Sequence, residues 1–175
     1  MKQKTVAAII VIVILAADLL TKWWALETLA GGRRLDLFGG LVPLTLAFNR
    51  GAAFGLSIGD DPRWVFIPIT VGAVIFLTVL IARSGPQQKL RSVASALVLG
   101  GALGNLYDRV RWDRGVVDFI GPIDLGFMLW PIFNVADMAI TTGAILLAIH
   151  FWREDVGEAS QAEATELSPG RTPST

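Results

Sequence analysis

The chain has 175 residues, no formal net charge, 53% apolar residues and a mean hydropathy of +0.58. Only 17% of residues are charged, too few to clothe a soluble domain of this length, and zero net charge gives no general attraction for nucleic acid. The absence of cysteine removes disulfides, thiolate metal sites and a cysteine nucleophile, and a single histidine cannot form a zinc-protease pair.

A bilayer-crossing helix needs about 20 mostly apolar residues, and lipid leaves its backbone no other partner than itself. Four stretches read as such spans: residues 5–24, 64–82, 92–106 extending through Tyr107, and 131–152. The first carries Asp18 and Lys22 near its far end. Lys2, Lys4 and the small-residue site Thr28-Leu29-Ala30 would also suit a cleaved secretory signal. The length of the run, its internal Asp18 and the three later spans favour an uncleaved helix. Residues 35–48 alternate weakly and read as a short extended patch on the membrane surface. Asn49-Arg50-Gly51-Ala52-Ala53-Phe54-Gly55 follows, small enough for a loop that approaches a peptide backbone closely. Gly100, Gly101 and Gly104 let the third span pack tightly, and Asn105 and Asp108 end it. Asn134 and Asp137 begin the fourth span, and His150 near its end reads as interfacial. The six tryptophans fall at span ends or in the outer loop and read as interfacial anchors. Residues 1–153 thus form one membrane domain, and the polar residues 154–175 read as a disordered tail.

Lys2 and Lys4 before the first span, and Arg83, Lys89 and Arg91 in a very short loop, place both termini in the cytoplasm. The arginines of the longer loops weigh less. On that topology Asp18 and Lys22, Asn105 and Asp108, and Asn134 and Asp137 reach one depth in the outer leaflet. Short Asp and Asn side chains snorkel poorly, and the three-residue spacing keeps each of the last two pairs on one helix face. A shared polar site is the reading favoured over scattered helix-end residues.

With no cysteine, no metal motif and His150 elsewhere, the reactive groups left are carboxylates, lysines and hydroxyls. Asp118, in the loop before the fourth span, and Asp137 can meet and share one proton, which would suit peptide hydrolysis by an acid–base pair. Spacing alone gives Asp118 no advantage over Asp108, Asp113 or Asp124. A serine–lysine peptidase would use Lys22 as base with Ser57, the only serine of the outer loops. An ion pair of Lys22 with Asp18, one turn away, is the simpler role. A small transporter would put its carboxylates near the midplane, and an assembly subunit would leave them unexplained.

These clusters have a recognisable order: Asp18-Leu-Leu-Thr-Lys22, the Asn49 to Gly55 segment, Gly100-Gly-Ala-Leu-Gly104-Asn105-Leu-Tyr-Asp108-Arg109, Gly115-Val-Val-Asp118-Phe-Ile, and Phe133-Asn134-Val-Ala136-Asp137. Five weak motifs in order over residues 1–152 resemble the lipoprotein signal peptidases, also called signal peptidase II. The resemblance implies an all-α membrane protein with four transmembrane helices and a small extracytoplasmic β-cradle between the first two. It implies an aspartic endopeptidase of the bacterial cytoplasmic (inner) membrane, working without metal or cofactor. Its substrates would be diacylglyceryl-modified prolipoproteins, cut before the lipidated cysteine at the outer leaflet. Membrane lipid is the other partner implied, with no nucleic acid, and a monomer is expected. Asp118 and Asp137 become the catalytic pair, with Asp18, Lys22, Asn49, Gly51, Asn105, Asp108, Arg109, Asn134 and Ala136 lining or bracing the site. Asn105 and Asn134 are read as amide donors, and Arg109 as a partner for Asp108 or a substrate carbonyl. Residues 121–130 match nothing in the family, so Asp124, which falls there, is discounted.

Overall fold

A computed structural model describes residues 2–51 and 61–166. Residues 52–60, with the second half of the small-residue loop and Ser57, lie outside it, as does the end of the tail from 167 on. Four long helices carry the chain: α1 (Lys2–Thr28), α2 (Arg63–Arg83), α3 (Lys89–Arg111) and α4 (Val135–Glu166). Three of them, α1, α2 and α4, hold segments long and apolar enough to cross a membrane. The third expected span, α3, falls short of that apolarity because Gly, Ser, Asn, Asp and Arg occupy so much of it. It is instead the inner helix: eleven of its residues are buried, against Leu77 alone in α2, and α1, α2 and α4 all pack upon it.

Glycine makes that packing close. A Cβ at Gly101 would strike the Ala136 carbonyl of α4, one at Gly100 would stand 2.9 Å from Ile14 of α1, and one at Gly143 would stand 2.7 Å from the Ala94 carbonyl. The polar segment expected to be a disordered tail continues α4 as helix to Glu166. At its other end α4 starts at Val135, not at Pro131, so Asn134 stands before the first turn.

Beyond the helix ends lies a three-stranded antiparallel sheet in the order β1–β2–β3, formed by Arg34–Leu37, Val42–Asn49 and Val116–Ile120. The weakly alternating patch after α1 therefore is extended, and it recruits a third strand from the α3–α4 connection. Phe119 of β3 packs with Ala25, Leu29 and Leu44, and its ring meets Trp24 edge-on at 6.3 Å. Strand side chains alternate, so seating Phe119 on the end of α1 turns its neighbour Asp118 to the opposite face. A small hairpin of β4 (Ile123–Asp124) and β5 (Leu129–Trp130) fills the segment that carried no sequence signal.

Candidate active site

Two local devices bring residues 118 and 137 to one place. The backbone amides of Phe119 and Ile120 both donate to the Phe133 carbonyl, and Phe133 donates back to Ile120. That bridge folds the end of β3 onto the start of α4. The helix start is then closed reciprocally: the Asp137 amide donates to Asn134 Oδ1 at 2.9 Å, and the Asn134 amide donates to Asp137 Oδ2 at 3.2 Å. This is a capping box with aspartate in the position usually held by Glu or Gln. The spacing Asn134-x-x-Asp137 carries that signal, whereas the sequence reading used it only to place both residues on one helix face.

Asn134 also reaches the other carboxylate. Its side-chain amide donates to Asp118 Oδ1 at 2.7 Å, with the Val117 carbonyl and Asn105 Oδ1 at 3.2 and 3.1 Å. Asn105 donates to Asp137 Oδ1 at 2.8 Å. Asn49, at the end of β2, hydrogen-bonds Asp118 and accepts from the Gly51 amide at 2.8 Å. Gly51 has a φ of +103°, and a Cβ there would overlap the Phe66 ring. Asp118 is 2% exposed, while Asp137 is half-buried. Burial, and secondly the charge of Asp137, push the Asp118 carboxyl up to about 7.

A second buried layer lies directly beneath. The Lys22 ammonium meets Asp18 at 2.7 Å, Asp108 at 2.9 Å and Asn105 Oδ1 at 3.0 Å. Asp18 takes the Ala136 amide on its other oxygen at 2.9 Å, so a carboxylate from α1 satisfies an open N–H in the first turn of α4. A Cβ at Gly104 would overlap that carboxylate, which explains the glycine. Asp108 accepts the Val117 amide at 3.1 Å and fixes β3. Lys22, held by two carboxylates and a carbonyl, has no free lone pair to serve as a base, and Ser57 lies outside the described residues. Arg109 lies over the Phe66 ring at 5.2 Å and donates to the Asn105 carbonyl at 3.4 Å. Asp108, one of its two expected partners, is taken by Lys22.

The rival carboxylates separate cleanly. Asp113 and Asp124 are exposed, and Asp124 accepts the Gly126 amide in its own turn. Asp108 belongs to the lysine layer. His150 is paired with Glu154 at 3.3 Å, thirteen residues along α4 from Asp137, or about 20 Å at helical rise. The tryptophans at 23, 64, 130 and 152 are well exposed, as interfacial anchors should be.

Asp137 forms part of the wall of an apolar groove of about 500 Å³, lined also by Met128, Trp130, Ile132, Phe133 and Met138. A separate cavity of about 780 Å³ touches Lys22 and Asp108 from the side of α1 and β2, but neither Asp118 nor Asp137. Its volume marks no chemistry: the carboxylate pair, not the roomier hollow, sets a raised acid beside a second carboxyl group.

The family model for signal peptidase II matches residues 10–153. A lipoprotein signal peptidase of Burkholderia thailandensis is 43% identical over 138 residues, covering 78% of this chain and 81% of that protein. One of Anoxybacillus flavithermus is 37% identical over 143 residues, covering 82% and 83%. A solved bacterial membrane enzyme superposes with a TM-score of 0.74 at 31% identity, over 84% of this chain and 92% of the other. A second gives 0.73 at 27% identity, over 96% and 94%. With the helices, the sheet and the polar layers in the same order as the motifs, the chain belongs to the signal peptidase II family.

Proposed function

We propose that the chain removes signal peptides from diacylglyceryl-modified prolipoproteins, with Asp118 and Asp137 as the catalytic pair. The observation that carries this reading is Asn134, which touches both carboxyl groups at once. Asp118, buried and raised, is the acid; Asp137, with its oxygens receiving Asn105 and the Asn134 amide, is the base. A water between them loses a proton to Asp137, and its oxygen adds to the scissile carbonyl carbon. The carbonyl oxygen takes the proton of Asp118, giving a tetrahedral diol. Collapse breaks the C–N bond, the proton on Asp137 passes to the leaving amine of the modified cysteine, and Asp118 recovers its own from the diol. No covalent intermediate forms.

Membership in the family, together with three apolar helices around α3, supports a fourfold crossing in which α3 is the sheathed span. The basic ends of α1 and of the α2–α3 turn support cytoplasmic termini and a site at the outer leaflet. The apolar groove at Asp137 suits the lipid or the flanking apolar residues of the precursor, and the chain is read as working alone.

The test is cleavage of a lipidated precursor by detergent-purified protein. Asp118→Asn and Asp137→Asn are each expected to lower turnover by about a thousandfold while leaving the helical circular dichroism unchanged. Unlipidated precursor is expected to react at least about tenfold more slowly, since it lacks the apolar surface the groove would bury. Undiminished turnover by either Asn variant would end the assignment.

A further inference from the structure

At the end of the bundle opposite the carboxylates, α1 and α2 both lie against α3 but barely against each other. The seam between them is a hollow of about 300 Å³, walled by Ala7, Ala8 and Val11 of α1 and Ile81 of α2, with Leu99 of α3 as floor. The small alanines create the hollow. The hydroxyl of Thr78, also on its wall, is spent on the Val74 carbonyl at 2.7 Å, so apart from Lys4 at one end the seam is lined by apolar side chains. Lys4 lines this hollow and also a second one of about 540 Å³, where Lys2 and Lys89 join it with Gln3 and Ser84. Lys4 thus stands on the wall of both: a basic chamber at the helix ends adjoins an apolar slot between the helices.

The chamber is built rather than incidental. Gln3 donates to the Gln88 carbonyl at 3.1 Å, tying the start of α1 to the start of α3. Ser84 accepts from Arg91 at 3.1 Å and donates to the Leu80 carbonyl at 2.7 Å. Among the described residues no carboxylate lines the chamber, and none of its three lysines has an ion-pair partner. Gln3 Oε1 is buried with no donor. The chamber therefore gathers three positive charges and one buried acceptor without a donor.

We infer that these two adjoining cavities bind one anionic glycerophospholipid, its phosphate among Lys2, Lys4 and Lys89 and one acyl chain passing Lys4 into the seam between α1 and α2. A hydroxyl-bearing headgroup would satisfy Gln3. A free phosphate would meet the lysines but leave the apolar slot unfilled. The inference rests on α1 and α2 being membrane helices and not on the catalytic assignment. Juxtamembrane lysines next to an anionic leaflet are each worth about a fivefold gain in affinity.

The experiment is native mass spectrometry of the detergent-purified chain, titrated with phosphatidylglycerol or with phosphatidylcholine of the same chains. One phosphatidylglycerol is expected to be retained at least about tenfold more tightly. Lys4→Gln with Lys89→Gln, both exposed positions, should weaken it about twentyfold. Ala8→Trp, which fills the slot and leaves every lysine, should weaken it at least about tenfold. Circular dichroism and precursor cleavage in lipid-free detergent should stay at the parent level in both variants. Equal retention of the two lipids, or retention indifferent to the lysines, overturns the headgroup site. Glycerol phosphate displacing the lipid at equal concentration, or Ala8→Trp having no effect, overturns the acyl slot. If the parent holds the lipid as expected but cleaves no precursor, only the catalytic reading fails.

Discussion

Asn134 caps α4 with its side-chain Oδ1, donates its backbone N–H to Asp137 and its side-chain amide to Asp118, so a single residue sets helix start and carboxylate orientation together. Replacing it by Ala would lose the cap, worth about 1 kcal/mol, and the hydrogen bond to Asp118, while the backbone N–H would still donate to Asp137. Asp118 makes the sharper prediction. Its carboxyl is pushed up to about 7 by burial first and the Asp137 charge second. Cleavage that needs its proton should therefore fall as pH rises through about 7, and a rate level from pH 6 to 9 would contradict its role as the acid. Stability follows the same proton. The folded state keeps it up to about 7, whereas the unfolded chain releases it near the ordinary 3.8. The stabilisation is complete below the unfolded value and lost as pH climbs through the folded one. Asp118→Asn has no charge to bury, so it should melt above the parent at pH 8, by up to roughly 4 kcal/mol, and lose that advantage near pH 4. Thermal unfolding in detergent at the two pH values checks it.

Among the elements, α3 shows how polarity and burial trade places in a membrane protein. It is less apolar than its neighbours and more buried, because its faces meet protein instead of lipid. Gly104→Ala would drive a methyl into Asp18, whose Cγ would stand 3.0 Å from it, and is expected to cost about 1–3 kcal/mol and slow cleavage. Gly72→Ala on α2 meets nothing within 4 Å and should gain up to about 1 kcal/mol of helix propensity. Melting curves that move alike for the two would refute the packing account. The helices were legible in the sequence because lipid demands long apolar runs, and α3, sheathed by protein, showed as the shortest of the four. The sheet was half legible. Residues 35–48 alternate weakly, but β3 pairs with β2 across some 70 residues, and a five-residue strand buried through four of them carries no period to read. The hairpin of β4 and β5 left no signal, being two residues a side. From spacing alone the carboxylate pair was one combination among several and only the family resemblance singled out Asp118, since separating it physically from Asp113 or Asp124 takes burial, which spacing does not encode.

Across the whole molecule, the site gathers charge-bearing side chains from α1, α3, α4 and β3, with Lys22 and Arg109 facing the carboxyl groups of Asp18, Asp108, Asp118 and Asp137. At 2% exposure Asp118 has little water to screen a charge, and the charge of Asp137 opposes it further, which is why this carboxyl is pushed up to about 7. Lys22 touches neither acid of the pair directly, yet it joins α1 to α3 and its charge draws the Asp118 carboxyl downward. Lys22→Met keeps the length of the side chain and deletes the charge. Asp18 and Asp108 would then be buried without compensation, and stability should fall by about 3–5 kcal/mol. With the attraction of Lys22 gone, Asp118 should hold its proton to higher pH, so the alkaline fall in cleavage should move up the pH scale even as the protein melts earlier. A purely structural lysine would lower the melting temperature and leave the profile of the folded fraction in place. Precursor cleavage measured from pH 5 to 10 below the melting point of the variant separates the two.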